Sequence, residues 1–159
     1  MQRLVTLFFV ILFVSVVQVG VHVQAQTQTQ APATPDAELI KQTALDYIEG
    51  YYEGNGDRME RALHPELAKR IVRRDDRGRY SLGQMSAMTL VQITRSGGGK
   101  DIPKDKQQKD VTVLDIFGNA AVAKVIASDW IDYMQLAKWN GRWVIVNVLW
   151  ELKPKEPAK

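Results

Sequence analysis

The C-terminal third of the chain alternates apolar and polar residues with the period of two that is typical of β-strands. Four strands are predicted, at residues 109–117, 120–129, 130–139 and 142–152. Gly118-Asn119 and Asn140-Gly141 lie between them, and both pairs readily adopt the positive φ angles that a two-residue hairpin turn requires. The pattern predicts a curved antiparallel sheet, and a helix packed on such a sheet leaves room for a pocket.

The preceding part of the chain has helical spacing instead. Asp36 is placed to cap a first helix, which Gly54 would end. The buried face of this helix would carry Ile40, Ala44, Tyr47, Ile48 and Tyr51. Gly50 lies inside the helix at a cost of roughly 1 kcal/mol relative to alanine, so we expect another part of the chain to pack closely against it.

Two shorter helices are predicted to follow. Asp57 would cap the second helix, and His64-Pro65 would end it because the residue before a proline avoids the α region. Ser86 would cap the third helix. Residues 66–72, between these two helices, fit either a helical turn or an outer strand.

The N-terminus has the features of a secretory signal peptide. Arg3 supplies the positive region, residues 4–17 form an apolar run, and residues 23–25 include the small side chains that cleavage requires. The run is shorter than the ~20 residues that a membrane-spanning helix needs, although an uncleaved anchor is the alternative. We predict a signal peptide at residues 1–25 and an exported, periplasmic or extracellular protein of bacterial type.

Composition divides the rest of the chain into a tether, a domain and a tail. Residues 26–35 are rich in Gln, Thr, Ala and Pro and predict a disordered tether, followed by one domain at 36–152 and a charged tail at 153–159. Loss of Arg3 lowers the formal net charge from +3 to +2, which is too small for a nucleic-acid binder. We expect no nucleic-acid partner, and no membrane association after cleavage.

His64 is the one histidine outside the predicted signal peptide. It could act as a general base or a ligand donor near neutral pH, or it could simply contact the last carbonyls of the second helix. The chain has no cysteine, and its carboxylates do not have the spacing of a zinc or EF-hand motif. No metal and no cofactor are predicted.

Two aspartates in the predicted strands are candidate catalytic groups, because acidic residues are disfavoured in strands. Asp115 shares its strand face with apolar residues, so its carboxylate would enter the pocket with a raised pKa if that face is concave. The alternative is an exposed face that a dimer partner covers. Asp132 and Asp129 flank Trp130, and a twist or bulge there would turn one of them inward.

Aromatic and amide side chains are the candidate binding residues. Tyr47 and Tyr51 are four residues apart and share one helical face, where their hydroxyls could point at a cavity. Asn147 on the last strand could orient a planar heterocycle if its face is concave. The other rings that could contact such a molecule are Trp130, Tyr133 and Trp150. The alternative is that the two tyrosines belong to an aromatic stripe that packs in the core.

Five segments resemble the putative lumazine-binding family of the nuclear transport factor 2-like superfamily: ALDYIEGYYEG at 44–54, MERALHP at 59–65, DYMQLAK at 132–138, GRW at 141–143 and NVLW at 147–150. The superfamily also contains SnoaL-type polyketide cyclases and ketosteroid isomerases. The resemblance implies an α+β fold, a cone-shaped half-barrel in which three N-terminal helices pack on a strongly curved antiparallel sheet. This agrees with the order of the predicted elements.

Two functions fit this fold. The first is an exported small-molecule-binding protein, which holds an aromatic or heterocyclic molecule between the first helix and the sheet. The alternative is an isomerase or dehydratase similar to ketosteroid isomerases or polyketide cyclases, using a pocket Asp and Tyr. We favour the binder because the chain lacks a matched acid/base pair and has Gln135 where the family often has a histidine. The apolar character of both faces of the last strand predicts a homodimer through the exposed sheet face.

Overall fold

The computed structural model describes residues 34–154, in which two helices are followed by two strands, a third helix and four more strands. The predicted signal peptide, nearly all of the predicted tether and most of the tail lie outside the described residues. The helices are α1 (Pro35–Glu53), α2 (Gly56–Ala62) and α3 (Ala87–Arg95), with a 3-10 turn at Lys104–Lys106. The strands are β1 (Leu63–Arg74), β2 (Tyr80–Ser86), β3 (Lys109–Phe117), β4 (Ala120–Ala127), β5 (Trp130–Trp139) and β6 (Arg142–Leu152).

The helix caps lie close to their predicted places. Ser86 caps α3 as predicted, accepting a hydrogen bond from the Thr89 amide at 3.2 Å. α1 begins earlier than expected because Pro35 occupies its first turn, and Thr34 rather than Asp36 is the cap. In α2 the cap is Asn55 rather than Asp57.

The sheet has the strand order β2-β1-β6-β5-β4-β3. All neighbouring strands are antiparallel except β1 and β6, which are parallel. The predicted α+β fold with helices on a curved sheet is confirmed, but the sheet is mixed rather than purely antiparallel. The parallel pair is possible because α3 and four other strands lie between β1 and β6 in the chain, which provides the crossover that parallel strands require. Residues 66–72 belong to β1 and so lie inside the sheet rather than at its edge.

Two β-bulges change which side chains face the helices. One interrupts the β3–β4 pairing at Leu114, and the other interrupts the β5–β6 pairing at Val146. A bulge adds one residue to one strand, so the side chains beyond it point to the opposite face from the one that simple alternation predicts. Both bulges therefore decide the positions of candidate site residues.

The core lies between the helices and one face of the sheet. Ile40 and Ile48 of α1 are fully buried there, together with Met134, Leu136 and Ile145 of the sheet. The opposite face, called the outer face below, exposes several large apolar side chains, among them Val72, Leu82, Tyr133 and Leu149. The homodimer through this face stays a prediction. Among the described residues, no helix combines the length and the apolar composition that crossing a membrane requires.

Candidate functional site

A cluster of three polar side chains is buried between α1 and the sheet. Tyr47 of α1, Lys69 of β1 and Asp132 of β5 expose only 2%, 3% and 0% of their surface, respectively. The Lys69 ammonium donates a hydrogen bond to the Tyr47 hydroxyl oxygen at 2.6 Å and forms an ion pair with the Asp132 carboxylate. These three residues are called the polar cluster below.

Strand register brings the cluster together. Lys69 alternates with outward-facing Ala68 and Arg70, so its side chain points to the helices, and its partner across the sheet is Val148. Asp132 is paired with Trp150 on β6. One turn of α1 then places the Tyr47 ring above these strands. The cluster therefore joins positions that are far apart in sequence but share the inner face of the sheet.

Aromatic rings surround the ammonium group of Lys69. Its Nζ atom lies 5.2 Å from the ring centre of Tyr47, 5.5 Å from that of Trp130 and 4.8 Å from that of Trp150. These distances are within the range of cation–π attraction, which is stronger at a site from which water is excluded. Tyr51 packs edge-on against Trp130, with ring centres 5.3 Å apart, and its hydroxyl donates to the Gly98 carbonyl.

The indole N–H groups of Trp130 and Trp150 differ in their hydrogen-bond partners. Trp130 donates from Nε1 to Asp132 at 2.6 Å, which satisfies the second carboxylate oxygen. The Nε1 atom of Trp150 is also buried, but it has no hydrogen-bond partner among the described residues. A buried donor without a partner costs about 1–3 kcal/mol, so most such groups in proteins are paired.

Burial also shifts the protonation equilibria of the cluster. It lowers the pKa of Lys69, although the negative charge of Asp132 acts in the opposite direction. Burial raises the pKa of the Tyr47 hydroxyl well above its usual value, and the charge of Asp132 raises it further. Tyr47 is consequently a neutral hydroxyl over the whole physiological pH range.

Five of the predicted site residues lie in this region: Tyr47, Tyr51, Trp130, Asp132 and Trp150. The other four do not. For one of them, Asn147, the bulge at Val146 is the reason. It separates Ile145, which faces the core, from Asn147, which faces outward and pairs across the sheet with Gln135.

The predicted grouping of Asn147 with Tyr47, Tyr51 and the tryptophans is therefore wrong. Asn147 instead donates to Gln135 at 3.2 Å on the outer face. Tyr133 also points outward, because it alternates with the buried Asp132 and Met134.

The bulge at Leu114 has the same effect on Asp115. Beyond it, Asp115 pairs with Val122, and its exposed carboxylate accepts a hydrogen bond from the Ile116 amide at 2.9 Å. The alternation that placed Asp115 on the face of Val111 and Val113 is therefore wrong, and this carboxylate does not enter the interior.

His64 lies at the beginning of β1, away from the polar cluster. Its ring packs edge-on against Trp139, with ring centres 5.1 Å apart, and its Nδ1 atom accepts a hydrogen bond from the Glu66 amide. This position gives His64 a local packing role and no contact with Asp132 or Tyr47. Within residues 34–154, no three His, Cys, Asp or Glu side chains come together as metal ligands.

Lys69 is the site residue that sequence reasoning missed. It is the first of six basic residues between positions 69 and 79, a composition that is typical of a solvated loop. The useful signal was its place between Leu67 and Ile71, because residues two apart on a strand share a face. A lysine between two apolar residues at this spacing indicates a buried ammonium with a partner.

Similarity to known proteins agrees with this fold. Residues 35–151 match the model of the family described as "Putative lumazine-binding". The chain belongs to this family. No curated protein matches it.

Several solved structures share the fold. An NTF2-like protein of unknown function from Methylobacillus flagellatus is 24% identical over 79% of this chain and 98% of its own, with a TM-score of 0.62. A second NTF2-like protein of unknown function, from Shewanella baltica, is 18% identical over 77% and 99%, with a TM-score of 0.58. An NTF2-like protein with a cystatin-like fold from Novosphingobium aromaticivorans is 11% identical over 74% and 81%, with a TM-score of 0.55. At these identities the likeness establishes the fold alone.

Proposed function

We propose that this lumazine-binding family member is an exported protein that binds a small, planar heterocycle between α1 and the sheet, against the polar cluster. The family and the NTF2-like fold support small-molecule binding in general. The position and chemistry of the ligand are inferred from the side chains. Trp130 and Trp150 are half-buried, so part of each side chain reaches the surface and a ligand would enter beside them.

The observation that carries the proposal is the unpartnered indole N–H of Trp150 beside an ammonium group. An ammonium has three N–H donors, and Lys69 uses two of them, toward Tyr47 and Asp132. A ligand that complements these groups must present acceptors, such as ring carbonyl oxygens or ring nitrogens. Lumazine, a pteridine dione, has both kinds of acceptor and a flat ring system that can stack on tryptophan.

The geometry favours binding over catalysis. Asp132 and Tyr47 are the pocket Asp and Tyr that an isomerase would use, but Lys69 lies between them. Asp132 is fully buried, and its two oxygens already accept hydrogen bonds from Lys69 and Trp130. A general base must come within hydrogen-bond reach of the proton that it removes, and this carboxylate is committed to other partners. The cluster is better suited to orienting a ligand.

Lumazine titration of W150F tests the proposal. The substitution removes the unpartnered N–H donor and keeps an aromatic ring. W139F is the matched control, since Trp139 lies at the other end of the strand pair and packs on His64. We expect lumazine to quench tryptophan fluorescence in the native protein, and W150F to weaken binding roughly fivefold to tenfold, as loss of one hydrogen bond does. W139F should bind as the native protein does.

If lumazine and other pterins change neither the fluorescence nor the melting temperature, the proposal is wrong. Equal weakening by W150F and W139F would also contradict it, because it would place the ligand elsewhere. Proton exchange at the α-carbon of an added ketone, lost in D132N, would favour the isomerase instead. Export is tested separately, by the mass of the mature protein, which should begin near Gln26.

A further inference from the structure

The outer face of the sheet contains a second concave region. A groove of about 440 Å³ crosses strands β4, β5, β6 and β1 on the side opposite the helices. The residues that line it from the outer face are Arg70, Val122, Tyr133, Gln135, Asn147 and Leu149. This volume is in the range of small-molecule sites. The groove, called the outer groove below, is separated from the polar cluster by the thickness of the sheet.

The hydrogen bonds along the groove run in one direction. Arg70 donates from Nε to the amide oxygen of Gln84 at 2.9 Å and from Nη1 to the amide oxygen of Asn147 at 3.4 Å. Asn147 in turn donates to the amide oxygen of Gln135 at 3.2 Å. The side-chain amide oxygens of Gln84, Asn147 and Gln135 therefore each already accept a hydrogen bond. The groups left for another molecule are mainly N–H groups, including three guanidinium donors of Arg70.

The groove is also positively charged. Among the described residues, Arg70 has no carboxylate within salt-bridge distance, and its partners are neutral amides. Lys124 adds a second positive charge beside the groove, with its Nζ atom 5.7 Å from the ring centre of Tyr133. Asp115 lies on the same face, next to Val122, but its carboxylate already accepts from the Ile116 amide. The apolar parts of the lining are contributed by Val122, Tyr133 and Leu149.

We propose that the outer groove binds a small organic anion with a carboxylate or phosphate group and a flat apolar body. The anionic group would pair with the free side of the Arg70 guanidinium, which can form two parallel hydrogen bonds to such a group. The apolar body would lie against Tyr133 and Leu149. This site is independent of the interior site, and its ligand is charged rather than neutral, because the anion neutralises an unpaired charge.

A second copy of the chain is the competing occupant, since the predicted homodimer would cover this face. An isologous interface brings the same patch of two subunits together about a two-fold axis. Near that axis, Arg70 and its N–H donors would meet their own equivalents, and the positive charge would stay uncompensated. The groove is therefore complemented better by an anion than by itself.

Titration of the isotopically labelled protein with benzoate and phenyl phosphate tests the proposal, with benzyl alcohol as the neutral probe and inorganic phosphate as the probe without an apolar body. We expect the two aromatic anions to shift the side-chain NH₂ signals of Asn147, Gln84 and Gln135, and the alcohol to leave them unchanged. R70Q should weaken binding roughly tenfold or more. R70K keeps the charge but loses the paired geometry, so it should bind with intermediate affinity.

R73Q is the matched control, because it removes the same charge from the same strand and Arg73 does not line the groove. It should bind the aromatic anions as the native protein does. Equal weakening by R70Q and R73Q would mean only a general charge effect and would overturn the proposal. A dimer in light scattering that R70Q dissociates, with no effect of either anion, would assign the groove to a second copy. These outcomes are separate from those of the lumazine test, which measures the effect of W150F on lumazine binding.

Discussion

Lys69 and Asp132 form an ion pair inside the domain, although 63 positions separate them in the chain. Within residues 34–154, each of these two side chains has no other opposite charge in contact with it. Such a pair contributes little net stability compared with apolar residues, but its two halves depend strongly on one another. Substitutions in this pair therefore test whether the ion pair is buried inside the domain.

Substitution of Lys69 by methionine should destabilise the domain strongly. K69M leaves the Asp132 carboxylate buried without its counter-ion, for which we expect a loss of about 3–5 kcal/mol in the free energy of unfolding. The measurement is urea denaturation at neutral pH. K124M is the matched control, since Lys124 lies on the outer face and has no carboxylate partner in the part of the chain that the structure describes. It should change the free energy of unfolding by about 0.5 kcal/mol or less.

The double variant K69M/D132N separates charge from packing. Asparagine keeps an oxygen that can accept from Trp130 but carries no charge, so the double variant should recover much of the stability that K69M loses. It should still fail to bind lumazine with native affinity, because the ammonium donor is gone. If K69M is as stable as K124M, the ion pair is not buried as described.

Asp46 predicts the response of the domain to acid. Burial alone would raise the pKa of this carboxyl, but hydrogen bonds from Arg61 and Arg58 outweigh it and hold the pKa below its usual value. Arg58 also binds Glu49 and Glu53, so α1 and α2 are joined by a network of charges. A carboxyl with a lowered pKa stabilises the folded state above its unfolded pKa, and this contribution is lost as the pH falls through the folded pKa.

We therefore expect D46N to flatten the acid dependence of stability. In the native protein, the free energy of unfolding should fall as the pH drops below about 4, partly because Asp46 takes up a proton. D46N should be less stable than the native protein at pH 7, and the difference between the two should shrink toward pH 2. Denaturation series at several pH values measure this. A constant difference across the acid range would show that Asp46 does not contribute to the dependence.

Much of the fold could be predicted from sequence because its signals are local. The strands β3 to β6 follow a period of two, two of their three hairpins carry Asn-Gly or Gly-Asn, and Ser86 caps α3 through a contact three residues away. The parallel pairing of β1 with β6 is not a local property. It depends on which strand edge is free after the whole chain has folded. The sequence of residues 66–72 is compatible with either a helical turn or a strand.

The candidate site was less predictable because it too depends on contacts between residues that are far apart in the sequence. Tyr47, Asp132 and the two tryptophans could be chosen because their residue types are unusual for their positions. Asp115 and Asn147 were assigned to the wrong face because a bulge has no reliable sequence signal, and each bulge inverts the alternation beyond it. Lys69 was missed because its basic neighbours suggest a solvated loop, while its partner lies on another strand.

Gly50 has the close neighbour that the sequence predicted. A Cβ atom at this position would lie 3.0 Å from the backbone nitrogen of Met59 and 3.3 Å from the carbonyl oxygen of Asn55. Both atoms belong to backbone at or near the start of α2, so they cannot move without shifting that helix. The glycine therefore permits the close approach of α1 and α2.

G50A should consequently destabilise the domain, even though alanine is the better helix former by roughly 1 kcal/mol. We expect a net loss of about 1–3 kcal/mol in the free energy of unfolding, the usual cost of inserting an atom into a packed interface. G56A is the matched comparison, because the three atoms nearest to the added atom all belong to the side chain of Arg95, which is half-exposed and can rotate away. It should cost less than G50A in the same urea titration. A G50A variant more stable than the native protein would mean that helix propensity outweighs this contact and that the two helices can separate without loss.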